Sequence, residues 1–191
     1  MEAATIFTPD HPGQLFTLFR HPIHRAASTF HYVQDTVWRR KKNDLADITI
    51  EEYFKSGSGE NNFLTRYLTG RINNVLTEQD LNVAKEILRR KCIVGLLEEK
   101  VESMRRFDTI FGWKTRSRKN SSTGNSHETV MDCREQLLQW GWSMHHEHDL
   151  VEEGSTVWNL ILKLNEFDMQ LYDYAKVLFQ DQQRLFPTLE G

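Results

Sequence analysis

Two cysteines, Cys92 and Cys133, are all that 191 residues contain. That number excludes a disulfide framework and leaves both as candidates for buried thiols. No apolar run approaches the roughly 20 residues that a membrane-spanning helix needs. The first residues also lack the charged-then-apolar order of a signal peptide, so the expectation is a chain without targeting or transmembrane segments. An excess of positive charge is missing as well: 24 Lys and Arg stand against 27 Asp and Glu, a net charge of −3. No global basic field points to nucleic acid or an anionic membrane, and any polyanion has to be met by a local patch. A phosphate-cradling Gly-rich turn is absent too. Gly112-Trp113-Lys114-Thr115 matches one only in part, because the upstream glycine is lacking.

What is present is ordinary globular material, 39% hydrophobic and 27% charged, enough for one domain over residues 1–191 with a sizeable core. No internal repeat or second domain interrupts it. Leu15-Phe16-Thr17-Leu18-Phe19 is a short apolar run flanked by Pro12-Gly13 and Pro22, and predicts a buried strand. From Pro22 the pattern Ile23, Ala26, Ala27, Phe30, Val33, Val37 runs at helical spacing, which predicts a helix to about Arg39. Thr49-Ile50-Glu51-Glu52 has capping-box form and opens a short helix closed by Gly57-Ser58-Gly59. Another helix is expected from Asn61 to about Thr69 with Gly70 as its stop, and a longer one capped at Thr77 and running through Arg90. Cys92 to Leu96 predicts the second strand and Leu97 to Phe111 a helix, before a Ser-, Asn- and Gly-rich loop over Lys114 to His127. The rest is largely helical, with Leu160, Leu164, Phe167, Leu171, Tyr174, Ala175 and Leu178 as one covering stripe. The fold class is therefore α/β, helix-rich with a small parallel sheet.

The chemistry concentrates in Arg20-His21-Pro22-Ile23-His24-Arg25-Ala26-Ala27-Ser28. An arginine leaving a strand meets a helix N-terminus, whose unpaired N–H groups and positive dipole end favour an anion. Ser28, nearly two turns into the helix, reaches the same anion only if the anion lies along the helix side. The plain alternative is that Arg20 pairs with a carboxylate, Arg25 faces solvent and Ser28 packs.

The segment resembles the 3′-phosphate-binding motif R-[D/N]-P-x-x-R-x-x-S of sulfotransferases that use 3′-phosphoadenosine 5′-phosphosulfate (PAPS). Arg20, Pro22, Arg25 and Ser28 match in register, with Phe30 and Tyr32 following, and His21 stands where the family has Asp or Asn. Later segments resemble the carbohydrate sulfotransferases of the Golgi, near the heparan and uronosyl 2-O-sulfotransferases. Glu60 to Leu68 is similar to that family's N-x-x-x-R-x-L segment, and Ala84 to Leu88, Cys92 to Glu98, Glu102 to Phe107, Phe111 to Trp113 and Asn165 to Phe179 continue the likeness.

The resemblance implies a partial P-loop-like sulfotransferase fold, PAPS as co-substrate with no metal, and a carbohydrate acceptor such as an acidic polysaccharide or glycan. It also implies a parent enzyme on the lumenal side of the Golgi membrane. Arg20 and Ser28 would hold the 3′-phosphate, while Arg25 supports the structure. A late basic loop would close over the nucleotide, which makes Arg118, Lys119 and Ser121 further cofactor contacts; the alternative is a solvated loop. The family's phosphosulfate loop and catalytic base lie before the 3′-phosphate motif, so the expectation is a C-terminal portion with no assignable base. The rival is a non-catalytic protein that keeps a degenerate fold to bind a nucleotide or sulfated glycan.

Three further groups carry weaker signals. His145-His146-Glu147-His148-Asp149 has metal-ligand residue types, but adjacent residues do not converge on one ion, and a solvated turn is favoured over zinc. His21 and His24 add positive charge near the phosphate site when protonated. Arg39 to Lys42, Arg66 and Arg71 offer a basic track for an acidic polysaccharide, against the alternative of a solvated face.

Overall fold

The computed structural model describes residues 15–35, 47–112 and 151–186. Strand β1 (Leu15–Phe19) leads into α1 (Pro22–Val33). Three more helices, α2 (Ile50–Lys55), α3 (Phe63–Thr69) and α4 (Glu78–Lys91), precede β2 (Cys92–Leu96). Then come α5 (Lys100–Phe111), α6 (Thr156–Leu164), α7 (Glu166–Asp181) and a 3₁₀ turn at Gln182–Leu185. The two strands pair in parallel, Leu15 opposite Cys92 through Phe19 opposite Leu96. A parallel pair needs a crossover, and α1 to α4 supply it. The α/β, helix-rich expectation with a small parallel sheet holds among the described residues.

Local chemistry sets the element ends. Thr49 and Thr77 each form a reciprocal capping box, with Glu52 and Asp80 respectively, so both expected helix starts stand. Gly70 ends α3 in the left-handed conformation at φ 72°. Asn62 also sits left-handed, at φ 49°, so α3 starts at Phe63 and not at Asn61. Gly112 closes α5 at φ 63°, which explains that glycine as a helix stop and not as part of a phosphate loop. Helix α5 begins at Lys100, three residues after the expected Leu97, because Glu99 N–H turns back to the Leu96 carbonyl at 3.1 Å. The regular part of α1 ends at Val33, short of Arg39, and residues 36–46 lie outside those described.

The core has two main parts. Phe19, Leu81, Ala84, Leu88, Val94, Leu171 and Ala175 join β1, β2, α4 and α7. Ile23, Ala26, Ala27, Phe54 and Ile161 join α1, α2 and α6. The expected single stripe over 160–178 is split between them: Asn165 breaks the run, Leu160 and Leu164 pack in the second cluster, and Leu171, Ala175 and Leu178 in the first. The expectation of a wholly buried β1 is corrected. β2 is buried throughout, but Phe16 and Leu18 remain 48% and 44% exposed: α5 packs closest over Gly95, and its Phe107 and Phe111 rings touch Phe16 at 4.9 and 5.7 Å without covering it. Beyond β2, the Gln182 amide acts as a short strand substitute: Val94 N–H donates to its Oε1 at 2.9 Å, and its Nε2 donates to the Cys92 carbonyl at 2.8 Å. No helix among the described residues is long and apolar enough to cross a membrane.

Candidate functional site

The C-terminal ends of parallel strands are where α/β sheets place ligands, and here both strand ends open on the same spot. Phe19 lies opposite Leu96, and the ladder extends one bond further as Leu97 N–H donates to the Phe19 carbonyl at 2.7 Å. Arg20 follows Phe19 directly, while Glu98 follows Leu97. His21 caps α1 with its backbone: its carbonyl accepts from Arg25 N–H at 2.9 Å, and its own N–H donates to Glu98 Oε1 at 3.2 Å. Pro22 occupies the first helical position, where no N–H is needed.

Arg20 is half-buried and has no hydrogen-bond or ion-pair partner among the described residues. Burial lowers its pKa, and the Glu98 charge opposes that shift. A guanidinium stays charged regardless, so Arg20 is a partly desolvated cation with no counter-ion in contact among the described residues. Next to it in the chain, His21 sits in a cluster of aromatic rings. The His21 and His24 ring centroids are 5.0 Å apart; Trp158 of α6 lies 5.4 Å from His21 and 5.9 Å from His24. Tyr172 of α7 meets His21 edge-on at 5.3 Å. Its hydroxyl is pushed up to about 12, by burial first and by the Glu98 carboxylate to which it hydrogen-bonds.

Both histidines titrate below their ordinary value. For His21 the causes are burial, then the charge of His24; for His24 they are burial, then Arg20. At neutral pH the pair is uncharged, so it does not supply the standing positive charge that histidines at a phosphate site suggest.

Ser28 lies on α1, half-buried, and its hydroxyl has no hydrogen-bond partner among the described residues. At about 100° per residue, His21, His24 and Ser28 share one face of the helix, with Ser28 about 6 Å of rise beyond His24. An anion held by both Arg20 and Ser28 therefore lies along the helix side, over His24.

Arg25 turns the other way, into a buried ionic knot. Its Nη2 donates to Asp168 Oδ2 at 2.9 Å, and its Nη1 stands 3.2 Å from Glu60 Oε2. Glu60 also accepts from Thr29 Oγ1 at 2.9 Å. Asp168 is fully buried and completes its shell with Leu64 N–H, Thr65 N–H and Thr65 Oγ1 at 2.8–2.9 Å. This agrees with the structural role that the resemblance gives Arg25, and not with a solvent-facing side chain.

Arg66 and Arg71 are the members of the basic track that lie among the described residues, and both are engaged. Arg66 is occupied by the carbonyls of Asn61, Arg71, Ile72 and Asn74 and by Asn61 Oδ1, which staple the 61–74 loop together. Arg71 pairs with Asp80 at 3.3 Å. Arg118, Lys119, Ser121, the 145–149 histidine run, Cys133 and Arg39 to Lys42 lie outside the described residues. Among those described, no group of three metal-ligating side chains converges.

Sequence reasoning missed Glu98, Trp158 and Tyr172 as neighbours of the motif. Glu98 was open to inference: once the two strands are paired in parallel, the residues just after each must meet. Trp158 and Tyr172 come from helices whose packing carries no local sequence signal. Compared with protein-family models, curated proteins and solved structures, the chain matches none.

Proposed function

We propose that this chain is the C-terminal portion of a PAPS-dependent carbohydrate sulfotransferase with a partial P-loop-like fold, and that Arg20 and Ser28 hold the 3′-phosphate of the nucleotide. The observation that carries this reading is Arg20: a half-buried guanidinium at the C-terminal end of a parallel strand, beside a helix N-terminus, with no partner among the described residues. A phosphate satisfies all three features, since it supplies the missing acceptor, accepts from first-turn N–H groups and meets the helix dipole. Arg118, Lys119 and Ser121 are assigned as further nucleotide contacts. The intact enzyme would transfer a sulfuryl group from PAPS to a sugar hydroxyl by in-line displacement in the Golgi lumen, with a glycan as acceptor.

Calorimetric titration with adenosine 3′,5′-bisphosphate, on wild type and on Arg20→Ala, tests the site. Binding by wild type that weakens at least about tenfold in the variant is expected, since a hydrogen bond to a charged group contributes about 1.5–3 kcal/mol. Circular dichroism establishes that both proteins fold equally. No binding by folded wild type, or equal binding by the variant, overturns the assignment.

The rival, a non-catalytic binder of nucleotide or sulfated glycan, draws support from Glu98. Its carboxylate takes the His21 N–H that a phosphate would otherwise accept from, and places negative charge at the mouth of the site. Sulfuryl transfer from PAPS to glycan acceptors, assayed with the upstream coding sequence restored, separates the two readings: turnover supports the enzyme, and tight nucleotide binding without turnover supports the rival.

A further inference from the structure

Beside the proposed phosphate site are two side-chain atoms that no described residue answers. His21 Nδ1 and His24 Nδ1 are both shielded from solvent, and neither has a hydrogen-bond partner among the described residues. Buried polar atoms of this kind are uncommon, and each calls for a guest or a role. The two rings lie side by side at 5.0 Å, walled by Trp158 and Tyr172, on the helix face that also carries Ser28. His21 follows Arg20 directly in the chain, and the Arg20 charge acts on His24. Resting on the phosphate-site reading above, we propose that His21 and His24 form a proton-coupled latch, in which arrival of a phosphate dianion draws a proton onto the imidazole pair and the resulting imidazolium joins Arg20 in holding it.

The electrostatics of every facing element enter this balance. From the strand ends, Arg20 disfavours a proton on His24, while Glu98 favours one on either ring. From α7, Lys176 disfavours and Asp173 favours a proton on His21, and those two side chains are paired with each other at 2.7 Å. The Tyr172 hydroxyl is neutral across the working range and engaged with Glu98. Trp158 contributes an uncharged wall. Without an anion, burial keeps both rings neutral. A dianion reverses the largest penalty, because it offers a charged acceptor to a ring N–H that has none and adds opposite charge within a poorly solvated site. Only one ring is expected to charge, because the two stand next to each other and a second proton meets the first. At an ordinary phosphate site built from arginine and lysine, binding puts no proton on the protein. Here it consumes about one.

Calorimetry with adenosine 3′,5′-bisphosphate at pH 7.5, repeated in buffers of different ionisation enthalpy, counts the protons directly. Net uptake of about half to one proton is expected, with affinity rising up to about tenfold per pH unit as pH falls from 8 to 6.5. The ligand's own second ionisation, near pH 6, works in the opposite direction, since a bound dianion releases a proton. Uptake therefore cannot come from the ligand. His21→Asn and His24→Asn each put a planar polar group that does not titrate in place of the imidazole, and at least one of them is expected to abolish the uptake and to flatten the rise of affinity at low pH, with the binding that is left still lost in Arg20→Ala. Binding with zero or negative proton uptake in wild type, or unchanged uptake in both variants, overturns the latch and leaves the phosphate site standing. Absence of binding overturns both together.

Discussion

Arg25 of α1 and Asp168 of α7, 143 residues apart in sequence, are joined by a 2.9 Å ion-paired hydrogen bond inside the protein. The same carboxylate accepts the Leu64 and Thr65 N–H groups, the orphan donors at the start of α3. One side chain thus fastens the helix that follows the anion motif to two elements far away in sequence. Removing it leaves a largely buried guanidinium and three donors without acceptors. Asp168→Ala is therefore expected to destabilise the fold by about 3–5 kcal/mol, whereas Asp168→Asn keeps part of the acceptor role and loses less. Urea unfolding monitored by circular dichroism measures both; a loss below about 1 kcal/mol for the alanine variant would show that the knot is not structural.

Gly95 lies on β2 where α5 presses closest. A Cβ there would stand 2.6 Å from Phe107 Cζ and 2.9 Å from Ser103 Cβ. Ser103 cannot simply retreat, since its hydroxyl is bonded to both the N–H and the carbonyl of Leu96. Gly95→Ala is expected to cost about 1–3 kcal/mol by overpacking. The double variant Gly95→Ala/Phe107→Leu, which makes room at the ring, is expected to recover part of that loss. Failure of the second change to help would place the strain in the backbone.

Much of this architecture was legible because its signals are local. Thr49-x-x-Glu52 and Thr77-x-x-Asp80 announce helix starts through bonds made within four residues, and Gly70 ends a helix by its own backbone freedom. Both strands were readable, at the residues observed, as short apolar runs, the first of them set between Pro12-Gly13 and Pro22. Burial of β1 was not, because exposure of Phe16 and Leu18 depends on where α5 lies, a fact of tertiary packing. The Arg20 and Ser28 positions carry a spacing signal, and their nearest counter-charge, Glu98, becomes visible only through strand pairing. The depressed titration of His21 and His24 was invisible in sequence, since it comes from burial beside residues more than 130 positions away, Trp158 and Tyr172.

Cys92 opens β2 and is buried, and burial pushes its thiol up to about 11. The thiolate is the reactive form, so the side chain is expected to be inert at ordinary pH. In a Cys133→Ser background, iodoacetamide at pH 8 is expected to leave the native protein unmodified and to label it fully in urea. Rapid labelling of the native protein would mean that the β2 end of the core opens readily.

Stability should also carry the signature of the histidine pair. Burial holds His21 and His24 below the ordinary value near 6.5 in the folded chain, while the unfolded chain titrates near that value. Between those two values the unfolded state binds more protons, so the stabilisation present above about pH 6.5 is lost as pH falls toward the folded values. Carboxylates held low by arginines, Glu86 and Glu102 at about 2, lose their contribution only in more acidic solution. The window from pH 7.5 to 5.5 is thus expected to isolate the imidazoles. Urea midpoints should fall across it in wild type, and fall less in the double variant His21→Asn/His24→Asn. A phosphate-bearing ligand should reverse the slope, since the bound state takes up the proton that the free folded state refuses. Equal slopes in wild type and variant would show that the two rings titrate normally and that burial in this corner is looser than its aromatic packing indicates.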